Sequence, residues 1–253
     1  MPDAAETEYA ALLDRARADP SVVGVVVYGS RAAGPFVTPE SDVDCFVIVD
    51  GSIDVARRWR TPHGAPVEVW PMTIDAFRVH ALPGDAFAWN RPALIRARVD
   101  LDKLGGEIGR IVDRKRRLRD DEAREAAAFE LDGAINSLHR ALRSAENGRD
   151  LAARLDAQEA IGPLLRFAFA TEGRVRPFNK WLLHELDTEP LTTPAFAELA
   201  ADVDALATAP TVDRMRATFR TLETVARATG HADVIDGWEP DVAWLRGEAP
   251  YRS

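Results

Sequence analysis

Cysteine is nearly missing from this chain. Its 253 residues include one, Cys45, which excludes an internal disulfide and any cysteine-based metal cluster. The five histidines show neither HExxH nor HxxxH spacing, so there is no ligand pattern for a zinc site. No stretch approaches the roughly 18 apolar residues that a membrane span needs. The first twenty residues, MPDAAETEYAALLDRARADP, are acidic and amphipathic, the wrong character for a secretory signal, and the expected location is the cytoplasm. Positive charge is in deficit. Thirty-two Lys and Arg face 41 Asp and Glu, a net charge of −9, so the molecule as a whole is not built to wrap a long nucleic acid. The one dense basic run, RKRRLR at 114–119, reads as a solvated helix face or hinge, with a phosphate contact as the alternative. There is no tandem repeat and no low-complexity tract.

What is present changes character along the chain. Residues 7–18 carry Tyr9, Leu12 and Leu13 at helical spacing. VVGVVVY at 22–28 is short, apolar and β-branched, the signature of a buried strand. GSRAAG follows as a tight turn with Ser30 near the start of one helical turn. SDVDCFVIVD predicts a second strand, IDVARRWR a short helix, TPHG a turn and APVEVWPMT a third strand. Residues 74–112 read as mixed and mostly helical. From about residue 119 strand signals vanish, and Ala-, Leu- and Arg-rich segments with a 3.6-residue period predict four or five helices. The expected fold class is therefore α+β: a small mixed sheet flanked by helices over 1–112, then an all-helical bundle over 113–253.

The chemistry concentrates in VVGVVVYGSRAAGPFVTPESDVDCFVIVD, residues 22–50. Alternate strand residues point to opposite faces, so Asp42 and Asp44 share one face, with Val43, Cys45, Val47 and Val49 on the other. Two carboxylates on adjacent pleats beside an apolar strand repel each other unless a positive charge sits between them. Mg²⁺ meets that need, since it favours oxygen ligands and usually takes one or two carboxylates together with phosphate oxygens. Backbone amides of the turn at Gly29, with the Ser30 hydroxyl, offer the phosphate a seat.

GSRAAG…SDVDCFVIV resembles the signature of polymerase-β-type nucleotidyltransferases, which carry Gly-Ser after one strand and Asp-x-Asp at the next. In style it is most similar to bacterial enzymes that adenylylate antibiotics (aminoglycoside and lincosamide nucleotidyltransferases), and minimal nucleotidyltransferases of toxin–antitoxin pairs share the motif. The resemblance spans roughly residues 22–70, with a Gly-Ser to Asp-x-Asp loop about one residue longer than usual. It implies a third acidic residue on a neighbouring strand, which APVEVWPM supplies as Glu68, either a metal ligand or the general base. Asp50 lies about 20 Å along the strand from Asp44, and Asp54 and Asp75 fall in helix or turn segments. The resemblance also implies two Mg²⁺ ions, ATP or another nucleoside triphosphate as donor, and a small hydroxyl-bearing acceptor, with an antibiotic among the options and tRNA still open. Gly29 and Ser30 are the implied nucleotide contacts, and Arg31 and, from the helical half, Lys180 in RPFNKWLLHEL read either as phosphate contacts or as surface residues. A monomer or homodimer is expected, with no membrane partner. The alternative reading is a catalytically quiet nucleotide-binding or antitoxin-like interaction module of the same fold. His139 reads as a packed helix histidine, Cys45 as a small core residue, and the segment with Trp238 and Trp244 as a tail docked on the helical half.

Overall fold

In the computed structural model, which describes residues 4–251, the apolar strand signals of the first half become one four-stranded sheet. Helix α1 (Ala4–Ala18) leads into β1 (Val22–Tyr28). Then come β2 (Val43–Val49), a short α2 (Ile53–Arg57), β3 (Val67–Thr73), α3 (Ile74–Val79), a 3₁₀ segment (Ala88–Leu94), β4 (Arg98–Asp102) and α4 (Glu107–Arg116). The strand order is β3-β2-β1-β4. β1 runs antiparallel to both β2 and β4, while β2 and β3 are parallel, so the sheet is mixed. The parallel pair needs a crossover, and α2 lies within it.

Both faces of the sheet are covered, which is why its central strands are apolar at nearly every position. On one face Val25, Val27, Cys45, Val47 and Val69 pack with Leu12 and Ala16 of α1 and with Ala56 and Trp59. On the other, Val26, Phe46 and Ile48 pack with Phe77 of α3, Leu94, and Ile108 and Val112 of α4. Each such valine or phenylalanine, fully buried, contributes about 1.5–3 kcal/mol relative to exposure. Gly24 in β1 lets α4 come close, because a Cβ there would sit 2.9 Å from Ile108 Cγ1. The alternation expected for β2 holds: Val43, Cys45, Val47 and Val49 face α1, and Phe46 and Ile48 face α3 and α4.

Three expectations need correction. Residues 74–112 contain a strand, β4, as well as helices. Its sequence, RVDLD, carries charge at three of five positions because β4 is an edge strand, and charge at an edge hides the apolar signal. GSRAAG makes no helical turn; Ala32 N–H donates to the Gly29 carbonyl at 3.3 Å in a simple turn. The basic run at 114–119 is not a solvated face throughout. Lys115 is fully buried, and its ammonium donates to the carbonyls of His80 at 2.6 Å and Arg78 at 3.2 Å. Arg116 donates to the Ala97 carbonyl, and the buried Arg91 donates to the carbonyls of Lys115 and Arg117. Three cations of this region thus serve as donors to backbone carbonyls in the first unit.

The chain divides into two compact units between Arg117 and Leu118; the expected boundary at 112/113 falls inside α4. The second unit is helical: α5 (Asp120–Glu146), α6 (Asp150–Glu159), α7 (Ile161–Ala170), α8 (Leu182–Thr188), α9 (Leu199–Thr208), α10 (Val212–Ala228), α11 (Ala232–Asp236) and α12 (Val242–Arg246). Ala127, Leu131, Ala134, Leu138 and Ala141 form the buried stripe of α5 and pack into a core with Phe167, Phe169, Phe219, Leu222 and Trp244. His139 is packed among the rings of Trp238, Trp244 and Tyr251, with Nε2 3.1 Å from Asp241 Oδ2. The C-terminal segment is therefore docked on the helical unit. Among the described residues, no helix is long and apolar enough to cross a membrane.

Candidate active site

The site is made where three strands end at one rim. β1 ends at Tyr28, and Gly29 turns the chain with φ of +71°, a conformation glycine adopts without penalty. The space matters as much as the angle. A Cβ on Gly29 would lie 2.7 Å from Asp44 Oδ2. Asp42 immediately precedes β2 and Asp44 is its second residue. In the parallel pairing Asp44 stands opposite Glu68, the second residue of β3. Asp42, Asp44 and Glu68 each offer one carboxylate oxygen, and the three oxygens lie within 4.8 Å of one another. All three residues are half-buried.

That donor set suits a hard divalent cation. The ligand atoms are all oxygens, they converge, and Gly29 beside Asp44 carries no side chain to close the space. Without a cation, three negative groups this close raise one another's energy. Glu68 is also held from the other side. Its Oε1 accepts the Gly64 N–H at 2.5 Å and lies 2.9 Å from Nδ1 of His63, in the loop that precedes β3. The same loop is pinned to the strand by the Val69 N–H, which donates to Thr61 Oγ1 at 2.8 Å.

Tyr28 completes the rim and is invisible to motif reading, since it merely ends a strand. Its ring stacks on Phe46 at 4.5 Å. Burial raises the phenol's pKa well above its ordinary value, and the Asp44 carboxylate raises it further, with smaller contributions from Cys45, Glu68 and Asp42. The hydroxyl thus stays protonated and available as a donor. His63 is the second addition; its only sequence signal is a place in the turn TPHG five residues before Glu68. Cys45, on the opposite face, is buried, and its thiol is pushed up to about 12 by that burial, so it has no nucleophilic character.

Each of the other expected residues has its own local surroundings. Ser30 is buried in the turn beside Gly29. Arg31 turns toward the α1 side: its Nε donates to the Ser41 carbonyl at 2.7 Å, Nη1 lies 3.6 Å from Glu6 Oε1, and it lines a small cavity with Tyr9, Val27 and Arg98. Lys180 belongs to the helical unit, in a 3₁₀ turn (Asn179–Trp181), with its ammonium 5.9 Å from the Trp181 ring centre. Its neighbour Arg174 is buried in an ion pair with Glu185 at 3.1 Å.

Residues 10–77 match the nucleotidyltransferase domain family. The match covers Gly29, Ser30, Arg31, Asp42, Asp44 and Glu68, and ends well before the helical unit. No curated protein matches the chain. Among solved structures, a nucleotidyltransferase-like protein from Exiguobacterium sibiricum 255-15 is similar at 12% identity, covering 91% of this chain and 77% of that one, with a TM-score of 0.48. The family match lies within the first unit, and it supports nucleotidyl transfer as the general activity and a nucleoside triphosphate as substrate.

Proposed function

We propose that this chain moves a nucleoside monophosphate, with ATP as donor, onto a hydroxyl of a small acceptor. The observation that carries the reading is the convergence of the Asp42, Asp44 and Glu68 oxygens within 4.8 Å, inside the stretch that matches the nucleotidyltransferase domain. Asp42, Asp44 and Glu68 would hold Mg²⁺, two ions by the family resemblance, which when bound neutralises charge on the phosphoryl oxygens. The turn at Gly29 and Ser30 seats the β- and γ-phosphates with its amides and hydroxyl. The acceptor oxygen forms a bond to the α-phosphorus as the bond from that phosphorus to the bridging oxygen breaks, and pyrophosphate leaves with the electron pair. The acceptor's proton goes to water or, in the alternative in which Glu68 is the general base and not a metal ligand, to the Glu68 carboxylate. The Tyr28 hydroxyl stands at the same rim as a further polar group. The assignments of Arg31 and Lys180 to the phosphates, and of an antibiotic as acceptor, rest on the family resemblance alone.

The test is thermal unfolding with Mg²⁺ and each of the four ribonucleoside triphosphates, on the wild type and on the Asp42→Asn/Asp44→Asn double variant. Ligand at a hundred times its dissociation constant stabilises a fold by about 2.7 kcal/mol. A midpoint shift that requires both metal and aspartates supports the reading, and pyrophosphate release on adding hydroxyl acceptors completes it. Absence of any shift, with every nucleotide, would sink it. Binding without pyrophosphate release would leave a nucleotide-binding module.

A further inference from the structure

A cavity of about 410 Å³ opens beside Glu68 at the β3 edge of the sheet, within the range typical of small-ligand sites. Its walls are aromatic. Trp70 and Phe87 meet edge to face with ring centres 5.1 Å apart, and Tyr28 closes the side toward β1. Its polar groups are lopsided in kind. The Thr61 hydroxyl already accepts from the Val69 N–H, which leaves its own proton to donate. The Tyr28 phenol remains a donor. Arg60 stands exposed at the rim, and among the described residues no carboxylate pairs with it. Against these donors the lining offers one carboxylate, Glu68, which the metal reading already employs.

We propose that this cavity is the acceptor subsite, and that it takes a planar ring compound bearing a hydroxyl toward Glu68 and an anionic group toward Arg60. The assignment as acceptor subsite rests on the nucleotidyltransferase reading; the ligand chemistry rests on the cavity alone. Topology separates the two substrates. The phosphate turn is at the end of β1, the carboxylates lie between, and the cavity is on the β3 side. An incoming hydroxyl must approach phosphorus on the side opposite the departing pyrophosphate, and that order along the rim provides for both. Ring faces favour a flat ligand, since aromatic pairs prefer offset or edge-to-face contact. A donor-rich lining with an uncompensated guanidinium favours oxygen acceptors and negative charge. A polycationic acceptor would instead place ammonium groups against Arg60, with Glu68 the one carboxylate of the lining to receive them.

The matched probes are 4-hydroxybenzoate and 4-hydroxybenzylamine, which share ring and hydroxyl and differ in the sign of the charge. Calorimetric titration of the full chain, without metal or nucleotide, should show the benzoate binding at least about tenfold more tightly than the amine. Arg60→Ala should erase that preference, and Phe87→Ala should weaken the benzoate severalfold. Both side chains are exposed, so neither change threatens the fold. Tighter binding of the amine, no measurable binding of the benzoate, or binding indifferent to Arg60 and Phe87 would each overturn the proposal. Because nucleotide and Mg²⁺ are absent, failure here leaves the nucleotide-dependent unfolding shift intact. Failure of that shift, in turn, leaves ring binding measurable.

Discussion

Gly29 and Asp44 share a space that only a residue without a side chain leaves open: a Cβ at position 29 would stand 2.7 Å from Asp44 Oδ2. The contact ties the phosphate turn to the metal carboxylates, so one substitution tests both. Gly29→Ala must bear a left-handed backbone conformation, which costs about 1–2 kcal/mol, and must displace the Asp44 carboxylate. The expected result is a stability loss of that size in urea unfolding, with loss of the Mg²⁺-dependent nucleotide shift. A variant that is destabilised yet keeps the full shift would show that Asp44 does not need its observed position.

The carboxylate cluster makes a prediction of opposite sign. Three carboxylates within 4.8 Å repel in the absence of a cation, and at effective dielectric constants between those of water and a protein surface each pair costs on the order of 1–3 kcal/mol. Asp42→Asn should therefore raise metal-free stability by about 1 kcal/mol at low salt while abolishing stabilisation by Mg²⁺ with nucleotide. Unfolding curves with and without added salt check it, since screening should shrink the gain.

His80 should make the first unit acid-sensitive. It is 2% exposed, its Nδ1 faces Asp85 Oδ2 at 3.4 Å, and its Nε2 meets the Asn90 side chain at 3.3 Å. Burial lowers it to about 4; the Asp85 carboxylate opposes that shift and the Lys115 ammonium adds to it. Between pH 6.5 and 4 the unfolded chain binds a proton that the folded chain refuses, so stability falls as pH falls through that window. The loss amounts to about 3 kcal/mol, and His80→Gln should flatten it in equilibrium unfolding measured from pH 7 to 4.

Lys115 gives the alkaline counterpart. Its burial, with the nearby Arg91 and Arg114 charges, lowers the ammonium to about 8. From pH 8 to 10.5 the unfolded chain holds the proton and the folded chain has released it, so this residue's contribution rises with pH. Lys115→Met should cost about 1–3 kcal/mol at pH 7, since it leaves two carbonyls without their donor. The gap to wild type should widen by about 3 kcal/mol toward pH 10.5, which paired unfolding curves would reveal.

How much of this was legible depended on whether the signal was local. β1, β2 and β3 announced themselves because both faces of their sheet are buried, and Asp42, Asp44 and Glu68 stood out as charges at the mouths of apolar runs. β4 was hidden because an edge strand carries the charges of RVDLD. Tyr28, His63 and the cavity walls at Trp70 and Phe87 come together only through strand register and a loop that folds back on Glu68. No spacing along the chain encodes that. The basic run misled for a related reason. Whether Lys115 meets water or two carbonyls depends on what packs around α4, and its own neighbours in sequence are silent about that.

The two borders of the sheet have a consequence for how the protein behaves in a crowded solution. β3 forms one border and contains Pro71, which has no N–H to offer an incoming strand; β4 forms the other and presents Arg98, Asp100 and Asp102. Neither border invites strand-to-strand growth. The rim carrying Glu68 can therefore stay open to small molecules without becoming a seed for aggregation, and a concentrated sample should remain free of β-type fibres even though its central strands are almost wholly apolar.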